Sequence, residues 1–310
     1  MSFTKRNLTF EIQLNKGPDF KPGEDIPLTF DNGATKLSLL GLRSRVTAQS
    51  CIGGDVAYAG RALIQIWGMK PADMAKLSTV GFDQAKIGWN NIKIFASDDG
   101  SLAPSTVFDG GIFDARINYN AMPDVSLELE CWSSMNEQIQ AIPGTSAPGA
   151  SDVAAMLRGI SAACVPPLDF LGPGTDAVLA NHAVGGSPAD QIEDICIAAG
   201  ICYTLQGGKL TVWPKEQAID DLVITTGPGM GLVGFPEYRR RAIDITMEFN
   251  PQVQLGRQIT INTAPHVPSV PGLPGTFWLN IVEHDLSCEL PDGPWFTHAT
   301  VSDRQIVGRV

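Results

Sequence analysis

Gly229, Gly231 and Gly234 spell G-x-G-x-x-G, the spacing at which a glycine-rich turn cradles the pyrophosphate of a dinucleotide. That chemistry needs a helix to begin at the glycines, so that its N-terminal amides and dipole face the phosphates. Phe235-Pro236 follows instead, and then a run with strand period, so a bend leading into a strand is expected here. The histidines are His182, His266, His284 and His298. His284 and His298 fall on strands able to lie side by side, with Asp285 next to the first, but no H-x-x-x-H or C-x-x-C pair supplies the short-range ligands of a metal site. Asp98-Asp99-Gly100 lacks the remaining ligands of an EF-hand and reads as a turn. No G-x-S-x-G elbow or phosphate-binding P-loop is present. The 33 acidic residues mark out no particular pair of glycosidase carboxylates. No catalytic, cofactor-binding or metal-ligating residue is therefore assigned, and no cofactor is expected. Arg239-Arg240-Arg241 is the one basic cluster. It would suit an acidic neighbouring subunit or a nucleic acid, but a solvated strand entry is the expected state.

The totals narrow the function classes. A net charge of −11 argues against stable binding to nucleic acid or anionic membranes, which needs clustered Lys and Arg. An acidic surface does let a polyanion slide past without sticking. The N-terminus has no apolar signal region, and no stretch approaches the roughly 18 apolar residues of a membrane span. Cys51, Cys131, Cys164, Cys196, Cys202 and Cys288 are scattered among apolar neighbours, which points to buried reduced thiols. The 32 glycines and 22 prolines imply many turns and a β-rich fold.

Hydrophobic periodicity divides the chain into three parts. Residues 1–135 alternate in short runs, including Leu8, Phe10, Ile12 and Leu14, then 36–46, 62–67, 91–96, 107–119 and 125–132, with one small helix starting at Pro71. Ile142–Gly149 reads as a linker. From there to about residue 220 a compact α/β module is expected. One helix is capped by Ser151 and buries Val153, Met156, Leu157 and Ile160; a second begins at Ser187-Pro188 and ends at Gly200; a hairpin turns at Gly207-Gly208. Pro166–Gly174 is expected to be a loop. Residues 221–310 return to strands, with Ile243, Ile245, Met247 and Phe249 opposite Asp244, Thr246 and Glu248, and a hairpin partner at 258–262. Prolines 265, 268, 271 and 274 suggest a stiff polyproline II loop. The expected fold class is β-rich α+β, with two antiparallel β-barrel or sandwich domains (1–135 and 221–310) around an inserted α/β domain (136–220). No sequence repeat links the two β parts.

Several stretches resemble the baseplate or tail hub proteins of tailed bacteriophages. They are Ile64–Leu77, Asn91–Ala96, Val107–Gly110, Pro123–Leu129 and, most strongly, Gly231–Glu237 with Asn250–Gly256. The similarity runs in order along nearly the whole chain. It implies that both β domains are tube-like barrels and that three copies form a pseudo-sixfold ring. Such a homotrimer would join a hexameric tail tube, or a tube-proximal tail protein, to a trimeric central spike. Its channel would pass DNA and the tape-measure protein without retaining them. It further implies a bare structural hub, assembled in the host cytoplasm and residing in the virion tail, with no enzymatic activity and no stable membrane binding. A tail-associated cell-wall hydrolase and the hub of a bacterial contractile injection system remain the alternatives.

Overall fold

The computed structural model describes residues 6–14, 29–52, 60–78, 90–98, 104–172, 175–239, 241–262 and 273–305. Most of the proline-spaced loop, together with His266, Arg240 and Asp99-Gly100, lies outside them. The chain divides into two compact units: Met1–Ala48, Arg61–Asn136 and Asp285–Trp295 form the first, and Gln49–Gly60, Glu137–His284 and Phe296–Val310 the second.

The first unit is built from strands β1 (Arg6–Gln13), β2 (Lys36–Leu40), β3 (Ser44–Cys51, its end from Gln49 belonging to the second unit), β4 (Gly60–Trp67, from Arg61 onward), β5 (Asn91–Asp98), β6 (Ser105–Asn118) and β7 (Ser126–Trp132), with helix α1 (Pro71–Ser78). Leu8, Phe10 and Ile12 on β1, Ala62, Ile64 and Ile66 on β4, and Ile92 and Ile94 on β5 are buried, while the residues between them are not. That period of two is what commits one face of each strand to the core. Pro71 opens α1, where a missing N–H costs nothing, and Met74 and Leu77 turn inward. The buried Asp73 accepts the backbone N–H of Asp31 at 2.9 Å. The apolar run 36–46 is two strands rather than one, because Gly41 takes a left-handed conformation at φ 67°. The strand order is β3-β4-β7-β6-β5-β1-β2.

The second unit holds two apolar clusters. One gathers helix α3 (Val153–Ala163), helix α4 (Pro188–Ala199) and strands β11 (Ile201–Gln206) and β12 (Lys209–Pro214) around Val153, Leu157, Ile192, Ile195, Leu210 and Val212. Short helix α2 (Met135–Ile139) precedes it. The α4 boundaries follow the expected chemistry: Ser187 and Asp190 form a capping box, Pro188 opens the helix and Gly200 closes it at φ 66°.

Three expectations are corrected here. Residues 145–152 are no linker but strand β8 (Thr145–Asp152), paired with β10 (Val178–Val184). Pro148 is tolerated because the register shifts there, and the Gly149 N–H is satisfied by Asn181 Oδ1 at 2.8 Å. The cap of α3 is Asp152, whose carboxylate accepts from Ala154 N and Ala155 N, so Ser151 stays in the strand. The 166–174 loop contains β9 (Asp169–Leu171), parallel to β12.

The other cluster is strand-built, from β13 (Val223–Thr226), β14 (Leu232–Arg239), β15 (Ala242–Glu248), β16 (Gln258–Ile261), β17 (Gly275–Cys288) and β18 (Trp295–Ser302). Ile243, Ile245 and Met247 face inward as the alternation requires. The expected hairpin of β15 with β16 does not form. β15 sits between β14 and β18, and β16 between β13 and β17, because residues 249–257 are too long and too bent at Pro251 for a two-residue hairpin turn.

These strands repeat an arrangement already present in the chain. The order β3-β4-β7-β6-β5-β1 is matched, strand for strand and in the same chain sense, by β14-β15-β18-β17-β16-β13. The long central members, β6 and β17, are both 14 residues. The outermost pair differs, since β1·β5 is antiparallel and β13·β16 parallel.

Trp213, fully buried, fixes the strand-built cluster at one point. Its indole N–H donates to Gln305 Oε1 at 2.8 Å, and Gln305 Nε2 donates onward to the Gln217 carbonyl at 2.8 Å. Its ring lies where a side chain on Gly256 would stand, 2.7 Å from a Cβ built there, and Gly256 holds φ 79°. Gly256→Ala therefore adds both overpacking and backbone strain. A loss of about 2–4 kcal/mol is expected in urea unfolding, against less than about 0.5 kcal/mol for a change at the exposed Asp124.

Candidate functional site

The polar faces of the two repeated sheets carry the chain's organised charge. In the first unit, adjacent strands place Glu128 of β7 between Arg116 of β6 and Gln65 of β4, and Glu130 between Asp114 and Leu63. Arg116 Nε meets Glu128 Oε2 at 2.6 Å, and Asn118 Nδ2 donates to Glu128 Oε1 at 2.7 Å. Arg61 pairs with Glu130 at 3.0 Å and Arg45 with Asp285 at 3.4 Å. The Asn118 hydrogen bond holds the Glu128 carboxyl below its ordinary range, helped by Arg116 and opposed by burial. Trp132 stacks on Phe113 at 4.3 Å and donates its indole N–H to Glu130. Arg45, Gln65, Asp114, Arg116, Glu128 and Glu130 border a shallow cleft of about 300 Å³.

In the second unit the corresponding face is a cleft of about 420 Å³ bordered by Phe235, Glu237, Arg239, Asp244, Glu283 and His298. Asp244 accepts from Thr300 Oγ1 at 2.7 Å and pairs with Arg239 at 3.1 Å. Thr246 Oγ1 lies 3.0 Å from His298 Nδ1. His284 lies 3.0 Å from Thr297 Oγ1 and meets the Phe249 ring edge-on. Burial pushes His284 down to about 4, with the charge on His298 adding to it.

The residues singled out in the sequence land as follows. Gly229, Gly231 and Gly234 take φ values of 74°, 83° and 74°, and β14 begins at Leu232, so they make the bend before a strand and no helix terminus faces them. His284 and His298 are on neighbouring strands but converge on threonines. Arg239 of the basic cluster pairs within its own hairpin. Among the described residues no group of three His, Cys, Asp or Glu could hold a metal ion, and no helix is long and apolar enough to cross a membrane. The described residues include all six cysteines and no disulfide; five thiols are buried. Burial pushes Cys164 up to about 11 and Cys202 up to about 12, so neither is a thiolate at neutral pH. The charge ladder itself was missed. Its signal was the alternation Asp114, Arg116, Asn118 against Glu128, Glu130 on two successive strands.

The charge on these faces is internally paired: every carboxylate just named as paired has its partner on an adjacent strand. Residues 80–299 match the family model described as Baseplate hub gp41. The chain belongs to the baseplate hub gp41 family. It is thus a bacteriophage tail protein of the baseplate hub kind. No curated protein matches the hub sequence. Solved structures share its fold at low identity. A tail protein from Neisseria meningitidis MC58 is 12% identical with a TM-score of 0.54, over 86% of this chain and 96% of that one. An E. coli component of the type VI secretion system, described as similar to T4 tail proteins gp27 and gp5, is 9% identical with a TM-score of 0.55, over 84% and 73%. A chain of the Francisella PdpA-VgrG complex is 7% identical with a TM-score of 0.58, over 99% of the hub and 54% of that chain.

The depressed His284 makes hub stability depend on pH in a defined window. The unfolded imidazole takes a proton near its ordinary value of about 6.5, whereas the folded one resists until about 4. Stability from His284 is therefore complete above about 6.5 and is lost as pH falls toward 4. Urea midpoints should drop between pH 7 and pH 4.5 in the native chain and change much less in His284→Phe. Equal drops in both would show that other groups carry the effect. Glu128 acts lower, since its depressed carboxyl loses its contribution only as pH falls through the carboxylate range.

Proposed function

We propose that this hub acts as a homotrimer in which each copy supplies two tube-like β-barrel domains, residues 1–135 and 221–310, with the α/β domain 136–220 inserted between them. Three copies then offer six similar walls around one channel, so that a threefold central spike can meet a sixfold tail tube. The observation that carries this reading is the six-strand order present twice in one chain. Without that duplication a trimer has no route to pseudo-sixfold symmetry.

The partners in this reading are the tail tube or a tube-proximal protein above, the spike below, and DNA and the tape-measure protein in transit. The polar faces suit passage. Arg45, Arg61 and Arg116 are already paired with carboxylates, so they present little free positive charge to a phosphate backbone. The protein works in the virion tail after assembly in the host cytoplasm, with binding and shape as its contribution rather than catalysis. A hub of a contractile injection system is the second reading, favoured by the type VI secretion and VgrG chains that share the fold.

Light scattering of the purified chain should give about three times 33.1 kDa, and negative-stain images should show rings with six lobes. A monodisperse monomer that stays monomeric at high concentration and with its tube partner present would overturn the proposal.

A further inference from the structure

Strand β17 changes partner part-way along one edge. β18 occupies its other edge, so both remaining partners share this one. Gly275–Trp278 pairs with β16, and beyond it, inside the same unit, residues 50–52 take over: the Ile52 N–H donates to the Asn280 carbonyl at 2.9 Å and Ser50 reaches the Val282 carbonyl. The falling partner numbers make this second pairing antiparallel.

β6 holds the equivalent place in the other copy of the strand order, and its edge is only half used. Ser105–Gly111 pairs with β5, and the Ile112 N–H donates to the Asn90 carbonyl. Among the described residues the same edge of Phe113–Asn118 has no ladder partner, while β7 covers the opposite edge. The strand equivalent to β3 is β14. Its one ladder partner among the described residues is β15, so its outer edge is open too.

β14 also has the surface of a strand that something covers. Of the fifteen large apolar side chains exposed among the described residues, six lie between 222 and 238: Leu222, Val223, Met230, Val233, Phe235 and Tyr238. Phe235 is 74% exposed at the tip of a bulge, where the register jumps from Val233 to Glu237. Gly234 at φ 74° and the buried Pro236 hold that bulge in place. A rigidly presented aromatic of this kind is what anchors protein interfaces, and an open strand edge adds backbone hydrogen bonds to it.

We infer that the outer edge of β14 of one copy pairs antiparallel with Phe113–Asn118 of β6 in a second copy, repeating between chains the pairing of residues 50–52 with 280–282 made inside the second unit. The partner is thus another molecule of this chain. The contact is head-to-tail, which rules out a symmetric dimer and builds a ring when the rotation between copies closes, as it does at three copies in the trimeric reading. It rests on the trimeric ring reading and names the surfaces that would hold that ring together.

The test mixes two singly substituted chains, Tyr238→Cys and Arg116→Cys, both at exposed positions, and treats them with a short bismaleimide. A covalent dimer in the mixture, absent from either chain alone, is expected. In parallel, Phe235→Asp should raise the concentration at which the assembly dissociates by about tenfold or more, while Phe235→Tyr should leave it near the native value. A trimer with no mixed crosslink and no response to Phe235→Asp would overturn this contact and leave the ring reading standing. A native chain that is monomeric throughout would overturn both. Circular dichroism of each variant identifies a chain that has failed to fold, and the Phe235→Tyr and crosslinking arms then decide the outcome.

Discussion

Backbone satisfaction governs this fold more than any single side chain does. A buried N–H or C=O left without a partner costs about 1–3 kcal/mol, so a 14-residue strand with two edges must find two sets of neighbours along its whole length. β17 meets that demand by taking β18 on one side and β16 followed by β3 on the other. The handover point is where residues far apart in sequence, near 50 and near 282, are bound together. Local alternation can place Val282 inward, but only the handover decides which strand lies beside it.

Magnitudes separate what makes the fold from what makes the surface. Burying side chains such as Leu8, Phe10 and Ile12 is worth about 1.5–3 kcal/mol each, and all three are fully buried. An exposed ion pair such as Arg43 with Asp124, where both side chains stand well out in water, is worth about 0.2–1 kcal/mol. The apolar faces therefore hold the sheets together, and the charged faces are free to be arranged for something else. Glu128 shows that they are arranged: one carboxylate takes Asn118 and Arg116 from the strand alongside, a geometry that fixes both long side chains. A face so internally paired does not attract a polyanion strongly, yet it stays hydrated.

Much of the architecture could be read from residue order because strands and helix ends are local devices. The inward set on β15, the capping box of α4 and the refusal of the three glycines to start a helix each depend on a few neighbouring residues. β8 escaped because Pro148 and Gly149 look like punctuation, and only the bulge at Asn181 across the ladder makes them compatible with a strand. The β15–β16 hairpin failed for the opposite reason: two good strands in succession do not specify each other as partners when the connection is long. The charge ladder was half legible, since alternating acids and bases on 114–118 and 128–130 mark a polar face. Nothing in those residues says which strand completes it.

The duplication is instructive because it is imperfect. β1 runs antiparallel to β5 over eight residue pairs, whereas β13 runs parallel to β16 over four. The sixth strand can reverse because the order of the other five does not depend on its direction, whether it goes on to a further neighbour, as β1 does with β2, or has β16 as its ladder partner, as β13 does. What the two copies preserve is the sequence of neighbours and the long central strand, while side chains diverge until no repeat is visible in the sequence. The same tolerance runs outward to other proteins: chains only 7–12% identical keep TM-scores of 0.54–0.58 over most of this one. In a structural hub, a sheet needs the right neighbours and a polar outer face, and many side-chain sets provide both. An enzyme of this fold would have to hold a few groups fixed within tight distances. A hub has to hold only its edges.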